Sequence, residues 1–139
     1  MKKYKIGYTA GVFDMFHVGH LNILKRAKEN CEHLIVAVST DELTESYKGR
    51  RPVISLNDRM EIIKSVKYVD EVVIQEDRDK IKAYEKYKFD VLFVGSDWQG
   101  DEMFIKTEEY MRARGGEVVY FPRTEGVSSR MLAKRRGDK

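Results

Sequence analysis

Two histidines, His17 and His20, flank a glycine in the tract Gly11-Val12-Phe13-Asp14-Met15-Phe16-His17-Val18-Gly19-His20. Positions three apart at a helix entrance share one side of the first turn, so both imidazoles can reach toward the same ligand. The amides of that turn lack partners within the helix and carry partial positive charge, which attracts an anion. Gly19 lets phosphate oxygens approach with no side chain in the way. The chemistry on offer is phosphate binding by two convergent hydrogen-bond donors. Two other readings stand beside it. In one, the pair is only a polar cap on a helix. In the other it is half of a zinc site, which needs a further good ligand, and the only remaining His and Cys are His33 and Cys31. Asp14 reads either as a turn residue or as the carboxylate nearest a phosphate-bound cation, and no other strong metal ligation is expected.

Basic residues gather at Lys48 to Arg51 and at Arg130 to Arg136, with Arg123 just upstream. Taken together, 26 Lys and Arg against 23 Asp and Glu leave a net charge of +3, which calls for neither nucleic acid nor an anionic membrane as partner. The aromatic and basic interleaving of an RNA-binding surface is also lacking. The local clusters suit a polyanionic small molecule if the fold brings them together. Cys31 is the single cysteine, so no intrachain disulfide can form. No stretch of 18 apolar residues occurs, and the N-terminus runs into a strand-like segment without a signal peptide's apolar region, so the expected location is the cytoplasm.

The elements that must position these residues are read from periodicity. A chain of 139 residues with 42% hydrophobic composition suits one domain spanning 1–139. Short apolar runs alternate with helical patterns, the signature of parallel strands joined by crossover helices. Strands are predicted at Tyr4 to Ala10, His33 to Ser39, Glu71 to Ile74, Asp90 to Val94 and Glu117 to Phe121. Helices are predicted at Gly19 to Asn30, after a capping box at Ser55-Leu56-Asn57-Asp58, and near Arg78 to Tyr87, Glu102 to Arg114 and Ser128 to Arg135. Thr44 to Val53, charged and holding Gly49 and Pro52, reads as an exposed loop. The expected fold is α/β: a doubly wound, parallel, five-stranded Rossmann-like sheet with its ligand site at the carboxyl ends of the strands.

At this point the sequence resembles the cytidylyltransferase branch of the α/β nucleotidyltransferases that carry a His-x-Gly-His signature. Within that branch it is most similar to the bacterial glycerol-3-phosphate enzymes. Besides His17 to His20, the tract Arg123-Thr124-Glu125-Gly126-Val127-Ser128-Ser129 is similar to the Arg-Thr-Glu-Gly-Ile-Ser-Thr of glycerol-phosphate and choline-phosphate cytidylyltransferases. It stands between the last predicted strand and the last predicted helix. Ser39-Thr40-Asp41-Glu42, Tyr68-Val69-Asp70-Glu71-Val72 and Asp97-Trp98-Gln99-Gly100 extend the likeness from Tyr4 to about Leu132.

The resemblance implies transfer of CMP from CTP to a small phosphorylated alcohol with release of pyrophosphate, magnesium accompanying CTP. It also implies a homodimer, with Tyr68 to Val72 as the contact region. CDP-glycerol as product would point to a teichoic acid or similar cell-surface polymer. By the same resemblance, CTP is held by the backbone at Val12 and Phe13, by His17, Val18, Gly19 and His20 with Asp14 beside them, by Arg50 and by Asp97. Arg123, Thr124, Glu125, Gly126, Val127, Ser128, Ser129 and Arg130 close over it from the other side. Lys48 and Lys80 align with lysines that meet the acceptor, and His17, His20, Lys48 and Arg123 are the implied catalytic set. Trp98 either joins the core or borders the base. The chain departs from the pattern at Arg50, which replaces a lysine, at Val12, where a threonine is often found, at Lys67, which replaces an arginine, and at Arg130, where a small hydroxyl residue is common. Enzymes of the same superfamily act on choline phosphate, ethanolamine phosphate or other polyol phosphates, or use ATP to adenylylate FMN.

Overall fold

Runs rich in Val, Ile and aromatic residues form the strands, and the mixed stretches between them form the helices that cross over the sheet. The computed structural model describes residues 3–122. In chain order it contains β1 (Tyr4–Gly11), α1 (Val18–Asn30), β2 (Cys31–Ser39), α2 (Asp41–Lys48), α3 (Leu56–Lys64), β3 (Glu71–Gln75), α4 (Lys80–Tyr87), β4 (Val91–Gly95), a 3₁₀ turn (Ser96–Trp98), α5 (Glu102–Arg112) and β5 (Glu117–Phe121). The strands pair in parallel throughout, in the order β3-β2-β1-β4-β5. This is the doubly wound Rossmann-like α/β sheet that the alternating pattern predicts. The predicted helix at Ser128 to Arg135 lies outside the described residues.

Both faces of the sheet are covered. Leu34, Val36 and Val38 of β2 pack with Leu24 and Ala27 of α1 and Ile63 of α3, while Ile35 and Ala37 point the other way toward Phe104 and Met111 of α5. A strand buried on two faces must be apolar at every position, which is why β2 reads as a continuous hydrophobic run. Each of these Leu, Val, Ile, Phe and Met side chains, removed from water, contributes roughly 1.5–3 kcal/mol. At Gly7 an added Cβ would lie 2.6 Å from a Phe93 ring carbon and 2.8 Å from the Cys31 sulfur, so only glycine admits the packing of that face.

Two expectations need correction. The segment Thr44 to Val53 is not a loop throughout, because α2 runs to Lys48. Capping chemistry makes that helix: Thr40 Oγ1 accepts the Leu43 amide at 3.0 Å, Asp41 and Glu42 occupy the positive first turn, and Gly49 ends it at φ 77°. Only Thr44 of the helix is buried, so apolar periodicity could not reveal it. At the start of α3, Ser55 holds the predicted cap position, yet its side chain makes no capping hydrogen bond. The entry to α3 is anchored instead by Asp14 and Arg59, described below.

Candidate active site at the switch point of the sheet

β1 and β4 are neighbours, although the chain winds away from β1 toward β3 before returning to β4. Their carboxyl ends open a crevice that no crossover covers, the usual ligand position in such sheets. Here it forms a cavity of about 560 Å³.

The chain leaves β1 through a turn in which Phe13 and Met15 take φ values of 53° and 48°. Side chains other than glycine adopt that region at a cost of about 1–3 kcal/mol each, so the surroundings must hold them there. Phe13 is buried with its ring 5.4 Å from that of His20, edge to face. Between the two strained residues, the Asp14 carboxylate accepts the amides of Val53 at 2.7 Å and Ile54 at 2.9 Å. Asp14 therefore ties the turn to the segment that follows α2. Arg59 completes the frame. It is fully buried on α3 and donates to the carbonyls of Val12, Ser39 and Ile54, each at 2.8 Å, and to the Asp41 carboxylate. One guanidinium thus joins the exits of β1 and β2 to the start of α2 and the approach to α3.

His17 caps α1. Its Nδ1 accepts the Gly19 amide at 3.0 Å, and its own amide donates to Nδ1 of His20 at 3.3 Å, so the two histidines form a reciprocal capping box. Their rings stack with centroids 3.9 Å apart. Burial lowers the pKa of His17; burial, reinforced by the charges of His17 and Lys48, lowers that of His20 to about 3. Both rings are accordingly neutral at neutral pH. With each Nδ1 acting as acceptor, the one ring proton must sit on Nε2. The capping reading is therefore correct for Nδ1, and it leaves two Nε2–H donors on rings that line the cavity.

The basic run after α2 divides. Arg51 lies 3.6–3.9 Å from the carboxylates of Asp41, Glu42 and Glu45 on the outer face of α2. Lys48, Arg50 and Arg51 all border the cavity, so the division lies in the carboxylates that surround Arg51 alone of the three among the described residues. Burial, with the nearby charges of Arg50 and Arg78, lowers the pKa of Lys48 against the opposing pull of Asp14. Lys80, only 6% exposed, donates to Gln75 Oε1 at 2.8 Å, and Gln75 donates to Ser39 Oγ at 2.8 Å. Burial and the charge of Arg78 lower its pKa to about 8, with Asp77 and Asp79 opposing.

Of the residues singled out from the sequence, Val12, Phe13, Asp14, His17, Gly19, His20, Lys48, Arg50, Lys80 and Asp97 all border this one cavity. Val18 does not: it is 49% exposed on α1 and is absent from the lining. The tract from Arg123 to Arg130 lies outside the described residues. Phe121 and Pro122, immediately before it, do line the cavity. Sequence reasoning missed Arg59, Tyr47, Gln75 and Arg78. Arg59 had a legible signal, since it falls four residues before the buried Ile63 on the same face of α3. Among the described residues no group of three or more His, Cys, Asp or Glu side chains could hold a metal ion, and both Asp14 oxygens already receive amides. A protein cage for magnesium does not fit these residues, and a divalent ion would have to ride on the substrate's own phosphate oxygens. No helix among the described residues is long and apolar enough to cross a membrane.

The sheet order and the crevice define a Rossmann-like α/β protein with its ligand site at the switch point. The family model described as cytidylyltransferase-like matches residues 8–135. Over 122 residues the chain is 38% identical to the glycerol-3-phosphate cytidylyltransferase of Bacillus subtilis, covering 87% of this chain and 88% of that one. Over 123 residues it is 40% identical to the FAD synthase of Thermococcus sibiricus, covering 87% and 83%. A solved lipopolysaccharide core biosynthesis protein from Thermoplasma volcanium superposes with a TM-score of 0.71 at 27% identity, covering 87% of this chain and 97% of that one. The chain belongs to the cytidylyltransferase-like family, and its activity is that of a nucleotidyltransferase.

Proposed function

We propose that the protein transfers CMP from CTP to glycerol 3-phosphate, giving CDP-glycerol and pyrophosphate. The observation that carries this reading is a single cavity lined both by the His17 and His20 rings at the start of α1 and by the cations Lys48, Arg50 and Lys80. A triphosphate and a phosphate monoester together suit such a lining.

In this reaction a phosphate oxygen of the acceptor attacks the α-phosphorus of CTP. A new P–O bond forms, the bond to the bridging oxygen of the β-phosphate breaks, and pyrophosphate leaves with the electron pair. The nucleophile is already an anion, so no general base is needed and catalysis is alignment plus neutralisation of charge. His17 and His20 donate from Nε2 to the phosphate oxygens on which charge grows. Lys48 and Lys80 hold the acceptor phosphate, and Arg50 holds the nucleotide with the backbone at Val12 and Phe13. Arg123 is assigned to the departing pyrophosphate on its sequence motif alone, as are Thr124 to Arg130 to the nucleotide. Magnesium bound to CTP would add to the neutralisation of the triphosphate, with no ligand from the described residues. Asp97 borders the same cavity and is proposed to face the nucleotide.

A second reading, adenylyl transfer from ATP to FMN, is kept by FAD synthase relatives at 40–41% identity, against 36–38% for the glycerol-3-phosphate cytidylyltransferases. The Arg123-Thr124-Glu125-Gly126 tract supports the cytidylyl reading over it. The test is pyrophosphate release with CTP or ATP against a panel of glycerol 3-phosphate, choline phosphate, ethanolamine phosphate and FMN. Turnover only with ATP and FMN would replace the first reading by the second.

A further inference from the structure

Three segments leaving the carboxyl ends of different strands meet at one corner of the cavity: Tyr47 from α2 after β2, Arg78 from the turn between β3 and α4, and Trp98 from the 3₁₀ turn after β4. The guanidinium carbon of Arg78 lies 4.4 Å from the centre of the Tyr47 ring and 5.1 Å from that of Trp98. Both distances are within range of attraction between a cation and an aromatic face. The two rings therefore hold the guanidinium in place without consuming its N–H groups. Among the described residues no carboxylate pairs with Arg78, and its guanidinium donates no hydrogen bond. Arg51, three residues past Lys48, shows the contrast, with three carboxylates around it.

Arg78 also sits beside both lysines assigned to the acceptor. Its main-chain carbonyl accepts from Lys80 Nζ at 3.3 Å, and its charge reaches Lys48. These cations repel one another, a repulsion that Asp14, Asp77 and Asp79 oppose, and an arriving anion relieves it. A planar fork with unused donors is the side chain best suited to a phosphate monoester. Meanwhile the aromatic faces on which a flat heterocycle would stack are already covered.

We propose that Arg78 selects the acceptor: its guanidinium fills the corner between Tyr47 and Trp98 against flat ring systems and offers its N–H groups to the phosphate of a small acceptor. The inference rests on the reading above that the acceptor is a phosphate monoester, and it names a residue that the family motifs do not.

Trp98 is the only tryptophan in the chain, so its emission reports on this corner. Wild type, R78A and R78K are titrated with glycerol 3-phosphate while Trp98 emission is followed, FMN binding is read from quenching of flavin fluorescence, and KM values are measured for both substrates. In wild type, glycerol 3-phosphate changes the emission saturably. In R78A the half-saturation point and the acceptor KM rise by about 10- to 100-fold, as expected for loss of a charge-assisted contact, while kcat and the KM for CTP stay within about threefold. R78A also gains affinity for FMN, and R78K, which keeps the charge without the planar fork, recovers part of the phosphate response. An R78A acceptor KM within about threefold of wild type overturns the proposal, as does a loss that falls on CTP instead, or equal FMN affinity in wild type and R78A. If wild type releases no pyrophosphate with any acceptor while the emission response is still lost in R78A, the role of Arg78 stands and the reaction assigned above falls.

Discussion

Replacing His17 with asparagine separates the two tasks that one imidazole performs. In the structure, Nδ1 of His17 accepts the Gly19 amide at 3.0 Å, whereas Nε2, on the far side of the ring, carries the proton assigned to a phosphate oxygen. An asparagine amide oxygen reaches the place of Nδ1, but nothing in that side chain reaches the place of Nε2. H17N therefore keeps the cap and loses the donor, while H17A loses both. Removing one donor to a developing oxyanion costs about 2.7–4 kcal/mol in the barrier, or about 10²–10³ in kcat, and this applies to both variants. Losing the cap costs about 1 kcal/mol in the alanine variant only, which for a chain of this length lowers Tm by about 3–4 °C. The assay pairs steady-state pyrophosphate release at saturating CTP and acceptor with thermal denaturation of wild type and both variants. The expected pattern is equal loss of kcat and unequal loss of Tm. An asparagine variant within about threefold of wild-type kcat would refute the donor role, and equal Tm values for the two variants would refute the cap.

Two further outcomes follow from the frame of the site. Lys80 has a folded-state pKa of about 8 against 10.5 for an unperturbed lysine, so it loses its charge as pH rises through 8. The acceptor kcat/KM should fall above about pH 8 in wild type and stay flatter in K80R; meanwhile the unfolded chain holds that proton up to 10.5, so wild-type stability relative to K80M should rise over the same window, and a flat wild-type kcat/KM profile through pH 9 would remove Lys80 from the acceptor site. Arg59 is wholly buried among three carbonyls and a carboxylate, so R59M should lower the unfolding free energy in urea by about 3–5 kcal/mol, and a loss below about 1 kcal/mol would show that its network does not hold the frame.

Much of the architecture was legible from local pattern. The apolar run of β2, the amphipathic stretches of α1 and α5, and the His17-to-His20 turn announce themselves because burial on two faces, helical period and capping are decided within a few neighbouring residues. The same locality explains the failures. α2 buries a single residue and is made by its caps, so it carries no periodic signal. Ser55 has the residue type and position of a cap but makes no capping bond, while Asp14 and Arg59, distant in sequence or out of register, bond the backbone of Ile54 beside it. Lys48, Arg50 and Arg51 look alike as a charged run. All three border the cavity, and that Arg51 alone has carboxylates at 3.6–3.9 Å depends on where Gly49 turns the chain and on what stands opposite.

By itself, then, the sequence determined the elements, their parallel alternation, the helix entrance that presents His17 and His20, and the family to which these motifs belong. Only the tertiary structure decided that β4 returns beside β1, and with it that Arg78, Tyr47 and Trp98 share one corner with Lys48 and Lys80. It also decided that Arg59 lies buried. The reason is one of range: helical period and caps act over three or four positions, whereas Arg59 stands 18 to 47 residues from Asp41, Ser39 and Val12, Arg78 stands 20 and 31 residues from Trp98 and Tyr47, and β1 pairs with β4 across 84, so these partners meet only through the order of the sheet.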